Sequence, residues 1–264
     1  MTDQKKKEID FAELLKAAVE TPGIMLEAYR YFHNYSVGNQ IAAIFQCSLR
    51  GLQIGPIASY NRWQELGRQV KKGSKAICLC MPVTCKGRER KNEQGEIEQD
   101  TFTRFTWRNN WFVLCQTEGA ELEPAEIPNW DKSKALGALE IDEIEFDMLD
   151  GNCQGFAKKR SIAISPIAAL PHKTLFHELG HVVLGHTAES DFSDSETTPR
   201  SLREVEAESV AMLCCESLGM PGADYCRGYI QHWIQGAEIP EKSAQKIFKA
   251  ADLILKSGQG EESK

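Results

Sequence analysis

Residues 174–185 read TLFHELGHVVLG, and the His177-Glu178-Leu179-Gly180-His181 run inside them decides how the second half of the chain is built. On a helix, residues four apart lie about 40° from one another on one face, so both imidazoles reach a single ion. Glu178 sits about 100° round from His177 and can lean over the ion's open position as a catalytic base. The neighbours Leu175, Phe176, Leu179, Val182, Val183 and Leu184 are apolar, so the run is expected to be buried. A buried His-Glu-His set with nothing to bind is costly. The spacing therefore predicts one divalent ion per chain, Zn2+ by its ligands, on a helix over 171–184 closed by Gly185. Gly180 has no side chain, so another backbone can approach that face.

A third protein ligand is needed to leave one position open for chemistry. His186 invites the pattern H-E-x-x-H-x-x-G-x-x-H, but this chain has Leu184 and Thr187 where Gly and His are required. His186 reads instead as a helix-end histidine beside the C-terminal dipole. The better source is the helical stretch 199–218. Taking Glu204 as the origin of its wheel, Glu208 falls at about 40° and Glu206 at about 200°, on the opposite side. Ala207 and Ala211 make the Glu204/Glu208 face small enough to pack closely. The arrangement resembles the gluzincin pattern, with Glu204 as metal ligand and Glu208 orienting a ligand histidine, or the two exchanged. Ser201-x-x-Glu204 also fits a capping box, although Thr198-Pro199 is an equally good helix start.

Working outward, helices are expected at 10–20, 24–49, 60–66, 221–235 and 240–256, and strands at 75–83, 101–115 with a bend at Asn109-Asn110, 143–149 and 160–165. The strand at 160–165 is expected beside the cleft, where it could pair with an extended peptide. The polar stretch 84–100 reads as an exposed hairpin tip. Residues 119–130 are acidic, carry two prolines and read as a linker between segments 1–118 and 131–264. The fold class is α+β throughout: helices and a small antiparallel sheet first, then a mostly helical region.

The chain has 264 residues and a net charge of −7. The charge is uneven: residues 1–115 hold 17 Lys+Arg against 12 Asp+Glu, and residues 116–264 hold 14 against 26. A polyanion partner for the first half is therefore open despite the acidic total. Nine cysteines, an odd number without any C-x-x-C, argue for free thiols rather than disulfides or a cysteine zinc ribbon. No apolar run approaches the roughly 20 residues of a membrane span, and MTDQKKKEIDF has no apolar core of a signal peptide, so a cytoplasmic protein is expected.

Between 55 and 75 cations and rings interleave: Tyr60, Arg62, Trp63, Arg68, Lys71, Lys72 and Lys75. Arg88, Arg90, Lys91, Arg104, Trp107, Arg108 and Trp111 follow. Cations that track phosphates and rings on which bases stack are the two ingredients of single-stranded nucleic-acid binding. Basic residues also occur as plain solvated faces, and a tryptophan at helical spacing also serves a core.

Beyond this reading, the chain resembles the ArdC antirestriction proteins. The resemblance runs through Tyr35-Ser36-x-x-Asn39, Trp63-Gln64-Glu65-Leu66-Gly67-Arg68-Gln69-Val70-Lys71-Lys72-Gly73, Ile77, Pro82, Phe112-Val113 and Gln116-Thr117-Glu118-Gly119. It continues through HELGH, the Glu204/Glu208 helix, Tyr229-Ile230-x-x-Trp233 and Ala250-Ala251-Asp252, and covers about residues 10–256. It implies an N-terminal domain that binds single-stranded DNA, then a zincin-like metallopeptidase domain, in a protein of plasmids or other mobile elements that shields incoming DNA from restriction. Tyr35, Asn39, Trp63, Arg68, Lys71 and Lys72 sit in the matching N-terminal motifs and become candidate DNA contacts. The second half also resembles the ImmA/IrrE proteases that cleave repressors, which implies an alternative: a regulatory zinc metalloprotease with a protein substrate and a recruiting N-terminal domain. A zinc-stabilised module without turnover is a third reading.

Overall fold

The computed structural model describes residues 10–91, 97–122, 128–148, 152–187 and 199–259. The chain forms two compact units, one of residues 1–41 with 124–264 and one of residues 42–123. This differs from the expected division into 1–118 and 131–264 at the N-terminal end. The first helices carry apolar faces that are buried in the unit holding the HELGH run.

In that unit α1 (Phe11–Glu20) starts at Asp10, whose carboxylate accepts from the Ala12 and Glu13 amides at 2.8 and 3.3 Å. The single helix expected over 24–49 is two, α2 (Ile24–Phe32) and α3 (Val37–Leu49). The break falls at His33-Asn34-Tyr35-Ser36, where the Tyr35 amide returns to the Phe32 carbonyl at 2.8 Å and Gln40 Nε2 donates to the Tyr35 carbonyl at 2.9 Å. Asn and Ser favour such caps over helix interiors. Leu14, Leu15, Val19, Met25, Tyr29 and Phe32 are buried, and Phe11 stacks at 6.0 Å on Phe248.

The rest of this unit holds α5 (Lys132–Leu139) and a sheet of β6 (Asp142–Glu143), β7 (Gly155–Lys158) and β8 (Ser161–Ile164) in the order β6-β8-β7. Then come α6 (Pro171–Val183), α7 (Arg200–Ser217), α8 (Ala223–Ile234) and α9 (Glu241–Ser257). Helix α7 is the centre: every residue from Val205 to Ser217 is buried, against α2, α6, α8 and α9. The strand expected over 143–149 is only β6, because Ile144 and Met148 stay exposed and no face is buried to hold the alternation. Helix α5 and strand β7 have no counterpart among the expectations. The strand expected beside the cleft, β8, is central, paired on both sides; β7 is the edge.

The unit of residues 42–123 is an antiparallel sheet of β1 (Ile57–Ser59), β3 (Ile77–Lys91) and β4 (Ile97–Val113) in the order β1-β4-β3. A smaller pair joins β2 (Arg68–Val70) to β5 (Thr117–Gly119). Helix α4 (Tyr60–Glu65) is capped by Ser59, whose hydroxyl accepts from the Arg62 amide at 3.3 Å. Trp63, Ile77, Leu79 and Val113 form the core. The expected hairpin tip at 84–100 is largely strand: Thr84 pairs with Thr103, Lys86 with Thr101 and Glu89 with Gln99. The bend expected at Asn109-Asn110 is a bulge. Ile77 pairs with Trp111 and Cys78 with Asn109, so Asn110 is the extra residue.

A candidate metal centre and a cationic ribbon

Helix α6 brings His177 and His181 to one face, with their Nε2 atoms 3.1 Å apart. Helix α7 crosses it where Gly180 lies; a methyl there would stand 3.4 Å from the Ala207 backbone and from Val210. That close approach carries Glu204 to the histidines: its Oε2 is 3.6 Å from His177 Nε2 and 3.7 Å from His181 Nε2. Four-coordinate zinc with ligand bonds of about 2.0–2.1 Å separates its donors by about 3.3 Å, so this triangle has the size of one face of that tetrahedron. Among the described residues, His177, His181 and Glu204 are the group whose donor atoms converge in this way. Hydrogen bonds to both histidines hold the Glu204 carboxyl far below the usual carboxylate range.

Glu208, one turn on, does a different job. Its Oε1 is 3.4 Å from His177 Nδ1 and 2.5 Å from Lys173 Nζ. Burial works against the charged lysine, but the Glu208 carboxylate outweighs it and the Lys173 pKa is raised. Glu178 is buried at the floor of the site. Burial pushes its carboxyl up, against the lowering pull of His177 and His181. A cleft of about 420 Å³ lies over the triad, lined by Gly155, Phe156 and Ala157 of β7 and by Arg200 and Arg203. On its other side a hollow of about 560 Å³ is lined by Lys173, Thr174, Tyr225 and again His177 and Glu178.

His186 stands at the end of α6, as expected, but it does more than close the helix. Its backbone amide does bond the His181 carbonyl at 2.9 Å, as a helix end requires. Its ring, however, is buried, with Nδ1 3.0 Å from His181 Nδ1 and Nε2 2.8 Å from Glu206 Oε2. Nothing in the sequence marked Glu206, which the wheel places away from Glu204. The turn after α6 and the buried groups around the ring decide where His186 points.

None of the nine cysteines is in a disulfide, and Cys47, Cys214, Cys215 and Cys226 are buried. Burial raises Cys47 to about 11 and Cys215 to about 12, which leaves both as inert thiols.

The candidate DNA contacts do not converge as one set. Trp63 is only 1% exposed and its indole N–H donates to the Phe112 carbonyl at 2.9 Å, so it builds the core and offers no face for a base. Arg68 is spent on structure. Its guanidinium bonds Thr117 Oγ1 at 2.8 Å and the carbonyls of Thr117, Gly119 and Ala120, stitching β2 to β5. Tyr35 and Asn39 are half-buried and belong to the other compact unit. Tyr60, Arg62, Lys71, Lys72 and Lys75 are exposed, with Arg62 paired to Glu65 at 2.8 Å and Lys71 Nζ on the Cys115 carbonyl at 3.0 Å. Phe102 and Phe105, 54% and 68% exposed on β4, were not singled out by sequence. Alternation puts Phe102, Arg104 and Arg108 on one face of the ribbon. An exposed ring among cations has a local signal, but only the strand register shows which ones share a face.

No helix among the described residues is long and apolar enough to cross a membrane. No curated relative matches the chain in sequence. Residues 15–110 match the family of the N-terminal domain of anti-restriction factor ArdC. Among solved structures, the chain is similar to the metal-free antirestriction ArdC protein from R388 plasmid at 20% identity and a TM-score of 0.56, over 94% of this chain and 97% of that one. The Mn(II)-bound form of the same protein matches at 19% identity and a TM-score of 0.53, over 96% and 99%. The chain is thus ArdC-like: residues 15–110 match the family of the ArdC N-terminal domain, and the fold is similar to that of ArdC over nearly the whole length.

Proposed function

We propose that this chain is an antirestriction protein that binds single-stranded DNA and carries a divalent-metal peptidase centre. The observation that carries the metal half is the donor triangle of His177, His181 and Glu204, whose edges of 3.1, 3.6 and 3.7 Å suit one tetrahedral ion. Two imidazoles and a carboxylate suit Zn2+, the ion of this reading; the Mn(II)-bound ArdC structure makes Mn2+ the second ion to test.

When bound, the ion supplies Lewis acidity and lowers the pKa of water at its open position. The chain's own groups do the rest. Glu178, buried beside both histidines, takes the proton of the attacking water and delivers it to the leaving amine. Its raised pKa suits a group that must hold and then release a proton. Strand β7 lines the cleft and, at the edge of its sheet among the described residues, offers its backbone to an extended peptide. Glu208, paired to Lys173, stands 3.4 Å behind His177 Nδ1, close enough to take its proton when the ring turns Nε2 to an ion.

The DNA half rests on the unit of residues 42–123. The exposed cations Arg62, Lys71, Lys72, Lys75, Lys86, Arg104 and Arg108 track phosphates there, and the open rings of Phe102, Phe105 and Tyr60 take bases. Such a protein acts in the cytoplasm, where incoming DNA meets restriction.

One experiment separates the halves. Glu178→Gln is expected to keep metal uptake, to lose peptide hydrolysis by 100-fold or more, and to protect DNA from restriction as well as wild type. Loss of protection in that variant transfers the weight to the alternative, a regulatory metalloprotease. Oligonucleotide binding is expected to weaken with salt at a log–log slope of about −0.7 per phosphate neutralised, and to fall when Lys71 and Lys72 are both alanine. A flat salt dependence overturns the DNA half.

A further inference from the structure

The metal site has a second supporting arm that the ligand triangle does not explain. With Nε2 of His177 and His181 both turned to the triangle, each ring keeps Nδ1 for a partner on its other side. His177 Nδ1 faces Glu208, itself held by Lys173. His181 Nδ1 faces not a carboxylate but another imidazole, His186 Nδ1, at 3.0 Å, and the chain of contacts continues from His186 Nε2 to Glu206 at 2.8 Å. The His186 and Glu206 side chains are 7% and 4% exposed, so water does not substitute for either contact. Ser243, from the start of α9, bonds Glu206 in turn.

Counting protons along this chain leaves one arrangement. An ion on His181 Nε2 uses that lone pair, so the ring proton stands on Nδ1 and must be donated. His186 Nδ1 must accept it, which places the His186 proton on Nε2, where the Glu206 carboxylate accepts. The opposite tautomer of His186 would set two N–H groups against each other at 3.0 Å and leave the Glu206 carboxylate without its histidine donor.

We propose that His186 and Glu206 are positioning residues for the metal, a Glu206–His186–His181 chain that fixes the ring of His181 and presents its Nε2 lone pair. The inference rests on the metal-centre reading above and deepens it. Partners behind a ligand histidine set both its orientation and its basicity, and losing one lowers metal affinity by about 10–100-fold. The two ligand histidines are then held differently, His177 by a lysine-backed carboxylate and His181 by a neutral imidazole backed by a carboxylate.

The test uses the full chain, stripped of metal and titrated with Zn2+ and with Mn2+ against a chromophoric chelator. His186→Ala and Glu206→Gln are each expected to weaken binding of either ion by about 10–100-fold, with the melting temperature of the metal-free protein held within a few degrees. His186→Gln keeps an acceptor for His181 Nδ1–H and is expected to recover part of the loss. The double variant His186→Ala/Glu206→Gln is expected to bind no more weakly than His186→Ala, because the two act as one chain. Affinities within twofold of wild type for both single variants overturn the proposal. If the variants do not fold, long-range nitrogen–proton correlation spectra of the wild-type zinc form decide it. They are expected to show His181 protonated on Nδ1 and His186 on Nε2, and a proton on His186 Nδ1 overturns the proposal. A wild-type chain that takes up neither ion defeats the metal-centre reading itself, and the inference falls with it.

Discussion

Gly180 lies where α6 and α7 cross, a position with room for a small side chain. It lies in the interior of α6, where glycine costs about 0.5–1 kcal/mol relative to alanine. A methyl at this position would meet the Ala207 backbone and Val210 at 3.4 Å, ordinary van der Waals distance. Alanine therefore gains helix propensity without a clash. Gly180→Ala is expected to melt at or a few degrees above wild type, with metal affinity retained. Gly180→Leu has nowhere to put its branch and is expected to force α6 from α7, so that Glu204 leaves the histidines and calorimetric titration finds no tight metal site. A Leu variant with wild-type affinity would show that the close crossing is not what brings Glu204 in. The HELGH spacing was legible at this scale, as was the shared face of Glu204 and Glu208. His186 and Glu206 were not, because a ring's direction after a helix end depends on the turn and on its buried neighbours.

At the scale of elements, a buried ion pair ties four helices together. Arg227 on α8 pairs with Glu216 on α7, both side chains nearly without solvent. The same guanidinium donates to the Ala18 and Val19 carbonyls at 2.7 and 2.5 Å, closing the C-terminal end of α1. Glu216 Oε1 accepts from the Met25 amide at 3.1 Å, at the N-terminal end of α2. Burial pushes the Glu216 carboxyl up, and the Met25 amide and the Arg227 charge work against that rise. Arg227→Met leaves this carboxylate buried without its cation and uncaps α1, which is expected to cost about 3–5 kcal/mol in urea unfolding. Arg227→Met with Glu216→Gln is expected to recover part of that loss; an additive double variant would deny the coupling. No sequence pattern announces such a clamp, since its members lie up to 209 positions apart.

For the molecule as a whole, the grouping of the first forty residues carries the consequence. Leu14, Leu15, Val19, Met25, Tyr29 and Phe32 are buried in the unit that holds the candidate metal centre. Each such side chain is worth about 1.5–3 kcal/mol of burial. Six of them together match or exceed the 5–15 kcal/mol of net stability a domain possesses. A fragment of residues 131–264 is therefore expected to lack a cooperative thermal transition and to bind no metal tightly. Adding residues 10–41 as a separate peptide is expected to restore both. A fragment that melts cooperatively alone would return the boundary to the linker at 119–130.

Taken alone, the sequence determined the HELGH helix, the pair of glutamates on a later helix, the alternation of helices and strands, the uneven charge and the likeness to ArdC. Each of these is written in local spacing or in contiguous motifs, and local geometry is fixed by backbone periodicity. Tertiary structure decided that Glu204 faces His177 and His181 while Glu208 stands behind His177. It also decided that Trp63 and Arg68 are structural, that β7 rather than β8 edges the cleft, and that α1 and α2 belong with the metal centre. Those outcomes depend on which face is buried against which distant partner, and burial is a property of the packed chain rather than of any segment.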